Sequence, residues 1–145
     1  MAIMKKVKPA ELYIGKLTHG GDLLEEIQDF CIKNDIRLGW IKALGAVQKA
    51  RLGFYNQETR EYQFFNLNRR FEITNLVGNV SIKDGNPMVH AHITLADGKG
   101  DCYGGHLATG TVIFACELIL YTFDGPVFER GYDEETGLPL WEMAE

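Results

Sequence analysis

Residues 87–107 read P-M-V-H-A-H-I-T-L-A-D-G-K-G-D-C-Y-G-G-H-L. Side chains on a strand alternate faces, so His90 and His92 share one face, with Cα atoms roughly 6.5–7 Å apart. The run D-G-K-G-D at 97–101 has hairpin chemistry: a three-residue loop over 98–100, with glycine in the left-handed position, pairs Asp97 with Asp101. Counting back along both strands sets His92 directly opposite His106. Opposed side chains have Cβ atoms roughly 4.5–5.5 Å apart, so the three imidazoles gather on one face. A slip of one residue would turn His106 to the other face, and Gly104 and Gly105 are where a bulge could cause it.

The same grammar extends outward. β-branched and aromatic residues recur in short runs between Gly, Asn and Asp, which predicts strands over 11–18, 37–44, 50–56, 61–66, 70–82, 87–96 and 111–123. Turn chemistry at 56–60 and at the D-G pair within 83–86 separates neighbours. One segment has helical spacing: Asp22 caps it, Glu25 follows three residues on, and Leu23, Leu24, Ile27, Phe30 and Cys31 fall on one face. Asn34 and Asp35 end that helix. The expectation is a largely antiparallel sheet of about seven strands with one main helix, a single domain over 8–130. Residues 131–145 form a tail packing on this subunit or a neighbour, and its acidic run Asp133, Glu134, Glu135 is a solvated loop with no catalytic role.

Composition bounds what such a domain does. The chain has 145 residues, 46% of them hydrophobic, enough for one core but not two. No run approaches the ~20 apolar residues of a membrane-spanning helix. The start M-A-I-M-K-K-V-K-P-A lacks the apolar stretch of a secretory signal, so the expected location is the cytoplasm. Lys and Arg number 15 against 20 Asp and Glu, a net charge of −5, which disfavours a surface built on phosphate contacts; nucleic acid is not the expected partner. Cys31, Cys102 and Cys116 form neither an even set nor a C-x-x-C pair, so no disulfide framework and no zinc ribbon is written here.

Three imidazoles on one face can converge on one ion. Zinc takes imidazole nitrogen at about 2.0–2.1 Å, and three protein ligands with an open fourth position make the arrangement of water-activating zinc sites. Nickel, iron and copper accept the same donors. The plainer alternative is strand histidines hydrogen-bonded to carbonyls or carboxylates. Cys102 falls on the same face, as a soft fourth ligand, a reactive thiol or a small apolar residue, the last being the expected reading. Glu117, a carboxylate inside the apolar run F-A-C-E-L-I-L, needs either an arginine partner or a role as proton carrier. Arg70 and Glu72 share a strand face and read as a salt bridge. His19, in T-H-G-G-D, precedes the helix, where free N–H groups can hold an anion or a capping side chain; alone it reads as a loop histidine, with joining the three-histidine cluster in space as the alternative.

In order and spacing these residues resemble the plants-and-prokaryotes-conserved (PPC) domain in its stand-alone prokaryotic form. The resemblance covers about 12–123. It rests on G-D-L-L-E-E-I at 21–27, G-A-V at 45–47, R-F-E-I at 70–73, G-N-V at 78–80, H-A-H at 90–92 and G-G-H-L at 104–107. It implies an α+β subunit with a largely antiparallel sheet, assembled as a homotrimer with sheets packing between neighbours. It also implies a zinc ion at His90, His92 and His106. Plant relatives carry the domain behind an AT-hook; no R-G-R-P core precedes it here, only Lys5, Lys6 and Lys8. Plant members use G-R-F-E-I-L for partner recognition, and this chain has Arg69 in place of the glycine and Thr74 in place of the leucine, so only a structural role carries over.

The leading expectation is therefore a trimeric zinc-binding protein with a cleft near a subunit boundary for a small polar ligand. Its chemistry as an enzyme would be Lewis-acid hydrolysis or lyase-type cleavage, with Glu117 as proton carrier. The rival expectations are a binding module without turnover and a DNA-associated regulator, the latter requiring affinity that falls steeply with salt.

Overall fold

Seven strands pair into one largely antiparallel sheet, and two more form a small ladder of their own, in the computed structural model, which describes residues 1–144. In chain order the elements are β1 (Lys8–Lys16), α1 (Leu23–Lys33), β2 (Gly39–Asn56), β3 (Glu61–Leu67), β4 (Phe71–Lys83), β5 (Asn86–Ala96), β6 (Cys102–Leu107), β7 (Val112–Asp124), β8 (Arg130–Tyr132) and β9 (Pro139–Trp141). The sheet runs β1-β7-β2-β4-β5-β6, with β3 paired to the far end of β2. β6 also reaches β2, through Leu52↔Leu107 and Gly53↔His106. The ladder β2-β4-β5-β6 thus closes on itself. Leu52, Leu76, Val80, Ala91, Ile93, Leu95 and Leu107 from these strands are buried. No helix among the described residues is long and apolar enough to cross a membrane.

Closure depends on the length of β2. The runs 37–44 and 50–56, read from sequence as two strands, are one strand of 18 residues. Gly45 marks an irregularity inside it: its φ is +147°, and an added Cβ would stand 2.1 Å from the Ala115 carbonyl oxygen. The register with β4 shifts between Ala43 and Gly45. β2 pairs β4 and β7 on both sides of this glycine, as far as Val47 and Lys49, and from Ala50 onward it pairs β3 and β6.

The helix forms as its spacing predicts. Asp22 is the N-cap, one carboxylate oxygen accepting from the Glu25 amide at 3.0 Å. Its other oxygen accepts from the Gly110 amide at 2.7 Å, tying the helix start to the turn before β7. Leu23, Ile27 and Cys31 face the core. Gln28 does something the hydrophobic pattern does not predict: its amide nitrogen donates to the Pro87 carbonyl, and its oxygen accepts from the Val89 amide at 2.8 Å. β6 pairs β5 only from Ala96 back to His92. Where β6 runs out, the Gln28 side chain takes over as the hydrogen-bonding neighbour of β5.

The tail runs along the same body. The Ile82 amide donates to Phe128 at 2.9 Å, Arg60 donates to the Glu134 and Glu135 carbonyls, and Tyr55 donates to Thr136. β8 and β9 pair through Arg130↔Trp141, Gly131↔Leu140 and Tyr132↔Pro139.

Candidate metal centre

Val89, Ala91, Ile93 and Leu95 turn inward from β5, which leaves His90 and His92 on the opposite face. The hairpin loop follows its glycine chemistry: Asp97 donates its amide to the Asp101 carbonyl at 3.0 Å, and Gly100 takes φ +83°. The ladder then runs without a bulge from Ala96↔Cys102 to His92↔His106. Gly104 and Gly105 serve close approach instead, since a Cβ on them would stand 2.9 Å from the Ile93 oxygen and 2.8 Å from the Gly53 oxygen. Ring centroids are 5.0 Å apart for His90–His92, 5.0 Å for His90–His106 and 5.7 Å for His92–His106. One ring nitrogen from each lies within 4.8 Å of the other two.

The donor set fits a transition-metal ion. His106 Nδ1 is buried with no hydrogen-bond partner among the described residues, a condition that costs about 1–3 kcal/mol unless something fills it. Burial, then the neighbouring His106, Arg130 and His92, push the His90 pKa down to about 4. Burial, then His92 and Arg130, lower that of His106 as well. Both rings are neutral at pH 7, the form that offers a lone pair to a metal.

Two neighbours of the triad carried no sequence signal pointing to it. Tyr62 of β3 stacks obliquely on His106, centroids 4.9 Å apart; Gly53 of β2 stands between Phe64 and His106 in the register and has no side chain to separate them. Burial raises the Tyr62 pKa. Arg130 of β8 donates to Asn79, the residue paired with His90.

The register also links the triad to the far edge of the sheet. Paired residues project from the same face, so one rung runs Ile14, Ile119, Lys42, Val77, His92, His106. The next runs Leu12, Tyr121, Trp40, Asn79, His90. Ile14 is 85% exposed and Leu12 61%. The histidines and an uncovered apolar stripe therefore share one face.

The model of the Plants and Prokaryotes Conserved (PCC) domain matches residues 4–124. The chain belongs to this family. A metal-containing protein from Archaeoglobus fulgidus superposes with a TM-score of 0.91 at 39% identity, covering 96% of this chain and 99% of that one. A plant- and prokaryote-conserved protein from Pyrococcus horikoshii gives a TM-score of 0.92 at 33% identity, covering 99% of each. The bifunctional protein GlmU of a Synechococcus strain is 33% identical over 128 residues, which are 87% of this chain and 19% of that protein. The chain thus spans about a fifth of the length of the curated relatives it matches.

The other residues singled out from sequence sit elsewhere on this PCC domain. Cys102 is exposed, and its thiol donates to Gly100, not to the triad. Glu117 is exposed and belongs to neither salt bridge among the described residues, so the expected arginine partner is absent there. It stands on β7, three strands from β5, about 14 Å across the sheet, too far to carry protons at its own subunit's histidines. The expected Arg70–Glu72 bridge is replaced by Arg69–Asp97 at 3.2 Å. Asp97 also accepts from the Lys99 and Asp101 amides, so the bridge fastens the loop that sets the triad's register. Arg70 and Glu72 instead line a cleft of about 530 Å³ with His19, whose Nδ1 lies 2.7 Å from the Phe114 carbonyl oxygen. His19 does not join the triad.

Proposed function

We propose that this protein binds zinc through His90, His92 and His106 and works as a homotrimer, with the metal near a subunit boundary and its open position available to a small polar ligand. The observation that carries the reading is the convergence of ring nitrogens from three histidines, one of which, His106, has a buried Nδ1 with no hydrogen-bond partner among the described residues. Similarity to a protein described as metal-containing supports it. The ion supplies Lewis acidity when bound. The chain's own part is to hold it: the β5–β6 ladder fixes all three rings, and Gln28 and the Arg69–Asp97 pair brace the two ends of that ladder.

A second reading, hydrolase or lyase chemistry on a small polar substrate, is favoured by the exposure of His92, which leaves one side of the triad open to an incoming molecule. Metal analysis of tag-free protein beside His92→Ala and His106→Ala tests the centre. The expected result is stoichiometric zinc in the parent and little in either variant. Equal content in all three overturns it.

A further inference from the structure

Arg130 is half-buried, yet it takes part in neither of the salt bridges formed by the described residues, Arg37–Asp35 and Arg69–Asp97. Its guanidinium is held by neutral oxygens only. Nε donates to Ser81 Oγ at 2.8 Å, Nη1 to the Pro139 carbonyl at 3.0 Å and Nη2 to Asn79 Oδ1 at 2.8 Å. The indole of Trp141 lies beneath it, 5.6 Å from the guanidinium carbon to the ring centroid. A guanidinium has five N–H donors. Three are used, and one remains free on each Nη.

The surroundings leave this charge uncompensated. The metal-ligand cluster is three imidazoles with no carboxylate among them, and the hydrogen bonds of the Arg130 side chain go to Ser81, Pro139 and Asn79, the residue paired with His90. Imidazole ligands carry no negative charge, so a divalent ion there brings its whole charge to a place that already holds a guanidinium. Two cationic centres in a half-buried site, with no acidic side chain between them, are stabilised by an anion from outside. Arg130 also lies beyond residue 124, where the match to the family model ends. It is the first residue of β8.

We propose that Arg130 makes the metal centre an oxyanion site: a small carboxylate or phosphate ligand puts one oxygen at the open metal position and another on the free N–H groups of the guanidinium. This rests on the zinc reading, and the test separates the two. The full-length chain is loaded with cobalt(II), whose visible spectrum reports its coordination, and is titrated with oxalate, with inorganic phosphate and with neutral imidazole. A saturable spectral change with at least one of the two anions is expected, and the one that binds tighter identifies the ligand class. Arg130→Gln should raise the dissociation constant of that anion about tenfold or more, the loss of a charge-assisted hydrogen bond, and leave that of imidazole unchanged. Arg130→Lys keeps the charge without the planar fork and should fall between them. It also decides the matter if the Gln variant fails to load cobalt: an anion affinity equal to the parent's overturns the proposal. Stoichiometric cobalt with no response to either anion overturns it and leaves the metal reading standing, whereas no cobalt uptake by the parent overturns both.

Discussion

His90 enters the folded protein as a neutral ring, and that has a cost in acid. Its pKa is about 4 in the native state, against an ordinary value of 6.5. Between those values the unfolded chain binds a proton that the folded chain does not, so stability is full above about pH 6.5 and declines as pH falls toward 4. Metal-free protein should therefore melt at progressively lower temperature from pH 7 to pH 4, and His90→Gln should flatten that profile. A parent and variant with parallel profiles would show that His90 is not the responsible group. The histidines were legible because strand parity and a glycine loop are local rules: they fixed which rings meet without reference to anything distant in the chain. Arg130 and Tyr62 were not, because what carries them to the triad is pairing with residues tens of positions away, Arg130 with Asn79 and Ser81, and β3 with β2.

At the scale of the element, α1 and β5 are coupled through one side chain. Gln28 satisfies the Pro87 carbonyl and the Val89 amide at a point where β6 offers no neighbour. Gln28→Leu preserves the bulk and strands both groups, so it should destabilise the protein by about 1–3 kcal/mol, read by denaturant unfolding. Hydrogen exchange should show the Val89 amide losing protection while Val47, in the middle of β2, keeps its own. Uniform loss of protection would mean the effect is global and not a local anchor. The helix itself was legible from Asp22 and its apolar face, but Gln28 was not, since a polar residue amid helix surface positions has no signature until its partner strand is placed. The continuity of β2 was missed for a related reason. Gly45 reads as punctuation by type, whereas its conformation is dictated by the Ala115 backbone lying against it. Gly45→Ala combines that clash with left-handed strain and should cost on the order of 1–3 kcal/mol or more, again by denaturant unfolding. A variant as stable as the parent would mean β2 can straighten without loss.

At the scale of the molecule, the apolar stripe on the triad's face bears on assembly. Ile14 is 85% exposed, Leu12 61%, Leu44 57% and Trp40 39%, and all four come from β1 and β2, the two strands that bracket β7. Exposed Lys42 and Glu117 share the face with them, and apolar side chains gathered around a few charges mark an interaction surface where scattered exposed leucines do not. A trimer is closed by a heterologous contact repeated three times, so the patch need only meet a different surface on the next copy, and the rungs lead across the same face to His92 and His90. The parent should sediment at three times the chain mass at micromolar concentration. Ile14→Asp, which places a carboxylate on the most exposed position of the stripe, should move it toward the monomer without unfolding, because that side chain makes no contribution to the core. Zinc content adds a second reading to the same samples. If a neighbouring copy borders the centre, the dissociated variant should bind zinc more weakly than the trimer, and if each subunit's β5–β6 ladder suffices, it should bind equally well. A parent that sediments as a monomer removes the trimer and the boundary together, while the three-histidine geometry, being internal to one ladder, remains to be judged by metal content alone.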